Sequence, residues 1–332
     1  MMFFLLGLSI VLAALLTFNS IASMIASLVW RVVGKRATGF SAATCASVIF
    51  LLRILPVVAG IVSVTLLLAP AYLTHEPRQD HEDVSLKLAI LAAASAIGLA
   101  LALFRGLAAW RATVRLRSDW LRHAEPIELP DFKLPTFRME HQFPVIAIVG
   151  VLRPRLFIAS QVFSSLSPTE LAAAVEHETG HIWANDNLRR GLIRACRDVL
   201  VMIPSGRLLD RAWVDASEAA ADEYAAGKGS QVALDLASAL VKIARLVPPG
   251  IKPAMPAGAF FIEPNALGGV KARVRRLMQL ANKRDGGPRR ILRIPTWIPV
   301  ALTVLIAALS ANEPHVLASV HWMMEHAVYL LD

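Results

Sequence analysis

The sequence predicts a mainly α integral membrane protein with four transmembrane helices and one α+β domain set between the third and the fourth. Three observations carry that expectation. The 332 residues are 56% apolar and only 18% charged, with a mean hydropathy of +0.54, too apolar a balance for an ordinary soluble domain. Uncharged runs recur at 1–30, 54–73, 88–104 and 294–312, and about 20 apolar residues suffice to cross the hydrocarbon core. Between the third and fourth runs the pattern changes to capped helices, β-branched runs and turns, as a water-facing domain requires.

The first run reads as a spanning helix. A cleaved signal peptide fits less well, because no basic residue precedes the apolar run and Arg31, Lys35 and Arg36 follow it. The second span follows Arg53 and carries Pro56 near its start, where proline is tolerable. The next segment holds Glu76, Asp80, Glu82 and Asp83, and its His75 and His81 read as parts of a short solvated turn rather than a metal site. The third span is short, extended past Arg105 by snorkelling, and Arg111, Arg115, Arg117 and Arg122 come after it. This basic, acidic, basic alternation places the amino terminus outside, the acidic loop outside and everything after the third span inside. The excess of nine positive charges therefore faces lipid headgroups, with no direct nucleic-acid partner implied. Cys45 and Cys196 read as buried small apolar residues, not a disulfide framework.

Residues 125–138, punctuated by Pro126, Pro130 and Pro135, read as a linker with short extended pieces. The apolar runs 144–151 and 155–160 read as a hairpin whose exposed edge can pair with an extended substrate backbone. Ser167, Pro168 and Glu170 then form a capping box that opens a helix. Four positions separate His177 from His181, so both imidazoles project from one face at the spacing that serves one metal ion. Glu178 takes the general-base position of His-Glu-x-x-His zinc hydrolases, although such a triplet also occurs on ordinary solvated helices.

A catalytic zinc keeps three protein ligands, and Glu218 in SEAAADEYAAG is the candidate third. Asp222, four residues on, and Asp186, five residues after His181, are candidates to hold the histidine tautomers. The alternative for this run is a solvated acidic helix, the role assigned to Glu223. A helix over 187–202, a break at Pro204, Ser205 and Gly206, and a helix over 231–247 complete this part. Residues 248–256 read as a surface loop rather than a lid, and 266–282 as a basic helix. Its Lys271, Arg273, Arg275 and Arg276 suit anionic lipid more than an oxyanion. Arg289, Arg290 and Arg293 precede the fourth span. The last twenty residues, 313–332, carry His315, His321 and His326 and read as a short amphipathic helix on the membrane. A second metal on those three histidines is the weaker reading.

HETGHIWAND followed by EAAAD resembles the signature of integral-membrane gluzincin peptidases, both the HtpX type and the BlaR-type signal-transducing metallopeptidases. The segment GVLRPRLFIASQVFSSLS is similar to the latter in particular, and the similarity covers about residues 144–226. The resemblance implies one zinc on His177, His181 and Glu218 with Glu178 as base, in a gluzincin-like α+β domain of a bacterial inner-membrane protein. The organisation that follows is three spans over 1–111, a cytoplasmic zinc peptidase domain over 112–290, a fourth span over 291–312 and an extracytoplasmic tail over 313–332. Antibiotic receptors of this family share the four-span layout but carry an external ligand-binding domain, which a tail this short cannot supply. The expected activity is endopeptidase cleavage of a cytoplasmic repressor or a membrane protein. Tyr224, Arg190 and Arg273 have the right chemistry to steady the oxyanion. The competing readings are HtpX-like quality control and a non-catalytic membrane transducer whose metal only stabilises the fold.

Overall fold

The uncharged runs fold as long helices in the computed structural model, which describes residues 2–34, 39–77, 84–130, 132–199, 206–247, 267–282 and 295–331. α1 spans Met2–Val33. α2 (Ala42–Ser63) continues through a π-helical stretch, Val64–Leu68, into α3 (Ala69–His75), and α4 covers Leu86–His123. These three rods of 32, 34 and 38 residues are long and apolar enough to cross a membrane. Ser41 and Ser85 start the second and third by accepting the Thr44 and Leu88 amides.

Two of the rods are longer than expected. The second begins at Ala42, well before residue 54, and buries Arg53 inside its length instead of leaving it in a loop. Its Nε lies 2.9 Å from Asp210 Oδ1, and this partner makes burial of the charge tolerable. α4 does not stop at residue 104 but runs on to His123, because alanine, leucine and arginine are good helix formers and no proline intervenes. Trp120, near its end, joins the core built on the sheet that follows it in the chain.

The part after α4 holds a four-stranded sheet of order β1-β2-β4-β3, made of β1 (Ala124–Ile127), β2 (Thr136–Met139), β3 (Ile146–Val149) and β4 (Arg155–Ala159). The expected hairpin is β3 and β4, antiparallel, with Gly150 at φ +109° in its turn. The linker supplies two further strands: β1 pairs antiparallel with β2, and β2 runs parallel to β4. Helices α5 (Ser160–Ser165), α6 (Pro168–Trp183), α7 (Asp186–Val199), α8 (Arg207–Ala226), α9 (Ser230–Leu246) and α10 (Leu267–Asn282) follow. Leu156, Phe157 and Ile158 pack with Ala173, Leu240 and Leu277 in the sheet-side core. A second core joins α7 and α8 to the second rod, with Leu209 and Trp213 of α8 and Ile193 and Cys196 of α7 against Ile49 and Ile54 of α2. Cys196 is buried as expected and Cys45 only half-buried, and neither is in a disulfide.

The expected fourth span takes a different form. α11 (Trp297–Ala311) has only 15 residues, and α12 (Pro314–Leu331) follows at a bend of 95°. At 1.5 Å per residue α11 covers about 22 Å, less than the ~30 Å hydrocarbon core. α12 folds back onto α3, where Met324 packs with Tyr72 and Leu88. Lys35, Arg36, the acidic turn with Asp80, His81, Glu82 and Asp83, the break at Pro204 and Ser205, the 248–256 loop, and Arg289, Arg290 and Arg293 lie outside the described residues.

Candidate metal centre

α6 forms where the capping box says it should. Ser167 Oγ accepts the Glu170 amide at 3.2 Å, and Glu170 Oε2 accepts the Ser167 amide at 2.7 Å. Glu170 also takes Ser238 Oγ at 2.6 Å and Lys242 Nζ at 2.7 Å from α9. Burial would raise its pKa, but these bonds outweigh that and hold the carboxyl at about 2.

The far end of α6 explains how Asp186 returns to the site. Asn185 adopts φ 54°, a left-handed conformation that asparagine tolerates, and α7 starts at the next residue. Asp186 Oδ2 thereby reaches His181 Nδ1 at 2.7 Å and accepts Ser217 Oγ, also at 2.7 Å. Across the site, Asp222 Oδ1 lies 3.0 Å from His177 Nδ1. Each ring thus has Nδ1 on a carboxylate, which leaves the two Nε2 atoms facing each other at 3.2 Å.

Glu218 completes the set. Its Oε2 is 3.6 Å from His177 Nε2 and its Oε1 is 3.6 Å from His181 Nε2. Three ligands about 2.0–2.2 Å from a tetrahedral zinc lie roughly 3.3–3.5 Å from one another, so the spacing fits such an ion closely. Glu218 Oε2 is buried and makes no hydrogen bond to a described residue, although Arg273 Nη1 approaches it to 3.0 Å. The approach of α8 to α6 depends on Gly180, where a Cβ would meet Ala221 Cα at 3.0 Å and Tyr224 Cβ at 3.2 Å. A side chain at this crossing would make Ala221 and Tyr224 of the helix that carries Glu218 give way by a few tenths of an ångström.

Charge in the site is balanced by Arg273, which reaches in from α10. Its Nη2 and Nε bond Asp222 at 2.7 and 3.0 Å. Burial pushes His177 down, but Asp222 and Glu218 outweigh it and raise the ring to about 9. Glu218 is lowered despite burial, chiefly by Arg273 and His177. Glu178 is raised by burial against the pull of His181 and His177. A buried carboxyl of raised basicity beside two imidazoles is suited to taking a proton from water.

Glu178, His181, Glu218 and Arg190 line one cleft, whose other wall is β3 and the turn after it. The β3 edge is not fully open. Val145 O takes the Ala159 amide, so alternation turns Ile146 and Ile148 toward the free edge. Asn187 Nδ2 already donates to Ile148 O at 3.1 Å and to Gly150 O at 3.2 Å. A peptide strand there has Ile146 and the Ile148 amide left to pair with.

The three oxyanion candidates separate. Arg190 lines the cleft, with Nε buried and unbonded among the described residues and its guanidinium 5.9 Å from the Trp213 ring. Arg273 is committed to Asp222 and Glu218, and Tyr224 sits at the α6–α8 crossing under Lys228, 5.5 Å from its ring. Glu223 is not a solvated acid. It accepts Arg276 Nη2 at 2.6 Å and the Ala42 amide at 2.8 Å, tying α8 to the start of α2. Two of the four basic residues on α10 therefore turn inward to acids, and only Lys271 and Arg275 are exposed. Ser217 and Asn187 have no motif, and only the abrupt helix end at Asn185 signals that the chain doubles back there.

No family model, curated protein or solved structure matches the chain. The likeness to gluzincin peptidases rests on the motif residues alone.

Proposed function

We propose that the chain is a membrane-embedded zinc endopeptidase, with His177, His181 and Glu218 as ligands and Glu178 as general base. The observation that carries this reading is the convergence of both Nε2 atoms and the Glu218 carboxylate at tetrahedral spacing beside a buried Glu178. Zinc, when bound, supplies Lewis acidity and acidifies water. Glu178 removes the proton from the attacking water and hands it to the leaving amine. Asp222 and Asp186 hold the ring tautomers, and Arg190 faces the cleft where the oxyanion develops.

The substrate is a protein or peptide drawn along the Ile146 side of the β3 edge. We place the chain in a bacterial inner membrane as a multi-pass protein with α11 and α12 forming the fourth crossing, both termini outside and the metal centre cytoplasmic. The basic residues around the spans support that orientation. Direct packing of α8 on α2 supports a signalling peptidase that cuts a cytoplasmic repressor or a membrane protein, since a shift of the spans reaches the helix that carries Glu218. HtpX-like quality control shares this chemistry, and a metal-stabilised transducer would have no use for Glu178.

The test uses purified full-length protein loaded with zinc and a fluorescent casein substrate. Glu178→Gln should retain zinc at this centre and lose about 10²- to 10⁴-fold in cleavage rate. A Glu178→Gln protein cutting at the wild-type rate would remove the residue from the mechanism. Comparing membrane-protein and repressor fragments in cells carrying each form separates the signalling and quality-control readings.

A further inference from the structure

The fold brings together residues 245 positions apart at the other end of the spans. His321 and Glu325 stand one turn apart on α12, and the bend after α11 lays that helix on α3, which ends at His75 and Glu76. One ligand atom from each of Glu76, His321 and Glu325 lies within 4.8 Å of the other two. His321 Nε2 is 3.3 Å from Glu325 Oε1, and its Nδ1 is 3.8 Å from Glu76 Oε2. Nδ1 is buried and makes no hydrogen bond among the described residues. A gap of 3.8 Å is too long for such a bond, and a buried polar atom without a partner is costly. The gap is within a few tenths of an ångström of the spacing of two ligands on one zinc ion, which would bind this nitrogen while the Glu325 carboxylate, now on Nε2, turns to join it.

The ring is also held in place. His75 stacks on His321 with centroids 5.6 Å apart and planes at 27°. Its own Nδ1 lies 2.7 Å from Thr74 Oγ1 and 3.2 Å from the Ala71 carbonyl oxygen, so Nε2 is the nitrogen it leaves for a ligand. Glu76 and His321 are 10% and 13% exposed, which confines them, whereas Glu325 at 59% can swing in from solvent. His326 instead stacks on Trp322, so of the three tail histidines only His321 belongs to this cluster.

We propose that Glu76, His321 and Glu325 form a second metal site for a divalent transition ion of the zinc class, clamping α12 to α3. An imidazole beside carboxylates favours zinc over magnesium or calcium. The site is remote from the first. The helix Ala42–His75 starts against Glu223, beside the metal centre, and its 34 residues put His75 about 50 Å away. The inference does not rest on peptidase activity.

Zinc titration of the untagged full-length chain in detergent, read by elemental analysis and calorimetry, tests it. The wild-type chain should take up two zinc ions, and Glu218→Ala one. His321→Ala should also hold one, and the double variant none. Glu325→Gln, a change at an exposed position that leaves folding intact, should weaken the remaining ion of the Glu218→Ala chain about tenfold or more. Cobalt added to Glu218→Ala should give a ligand-field spectrum that magnesium in excess does not remove. A Glu218→Ala chain that binds no zinc, or a Glu325→Gln change that leaves its affinity untouched, overturns the proposal. A wild-type chain that holds both ions yet does not cleave casein would instead count against the peptidase reading alone.

Discussion

The two halves of α8 meet different surroundings. Leu209 and Trp213 in the first half are buried against the spans, where Arg53 of α2 pairs with Asp210. Ser217, Glu218 and Asp222 in the second half face the metal centre, where each makes a hydrogen bond or ion pair. The first half is held by apolar area, which is indifferent to small shifts. The second half depends on distances of a few tenths of an ångström. One rigid helix thus couples a tolerant anchor to an exacting site, and damage at either end should be separable by what it changes.

The largest expected effect is on the anchor. Arg53→Ala leaves Asp210 in the helix contact without its partner and should cost about 3 kcal/mol, seen as a lowered unfolding midpoint in detergent. If zinc stoichiometry is unchanged in that variant, the two halves act independently; a parallel loss of zinc shows that they are coupled. Asp222→Asn attacks the other half, removing the anion shared by His177 and Arg273. Zinc affinity at the first centre should fall about 10- to 100-fold.

A smaller effect is expected at the start of α6. The Glu170 carboxyl is held at about 2 against an ordinary 4.5, so its stabilising contribution is whole above pH 4.5 and is lost as pH falls through 2. Lys242 is 43% exposed, so screening reduces the contribution to about 1–2 kcal/mol. Glu170→Gln should flatten the acid limb of the stability curve over that interval. The smallest is Gly180→Ala, about 1 kcal/mol, because Ala221 and Tyr224 must give way by a few tenths of an ångström. Its sharper readout is zinc affinity, which should drop as α8 and Glu218 move off.

Several features were open to reading along the chain because their causes are local. The capping box of α6, the hairpin of β3 and β4, and the pairing of two histidines one turn apart each depend on neighbours within a few residues. Arg53 and Glu223 were misread for the opposite reason. A charge in an apolar run looks like a loop, and an acid in an alanine-rich run looks solvated, until the partner on a distant helix is placed. The short extended pieces of the linker are β1 and β2, but four-residue runs punctuated by proline carry too little periodicity to name their partners; β2 lies on β4 and β1 on β2.

Composition and hydrophobic period were enough to point to a helical membrane protein with long apolar helices and to one helix bearing His177, Glu178 and His181, since burial in lipid and helical geometry act residue by residue. The four spans they suggested, with a short third, became three long rods and a bent pair. Tertiary packing alone chose which faces meet. It brought Glu218 within 3.6 Å of both imidazoles and set Asp210 against Arg53, 157 positions away. It also folded α12 back so that His321 faces Glu76. A helix's sequence specifies which residues share a face, but the partner of that face depends on close packing among elements whose separation along the chain leaves no periodic trace.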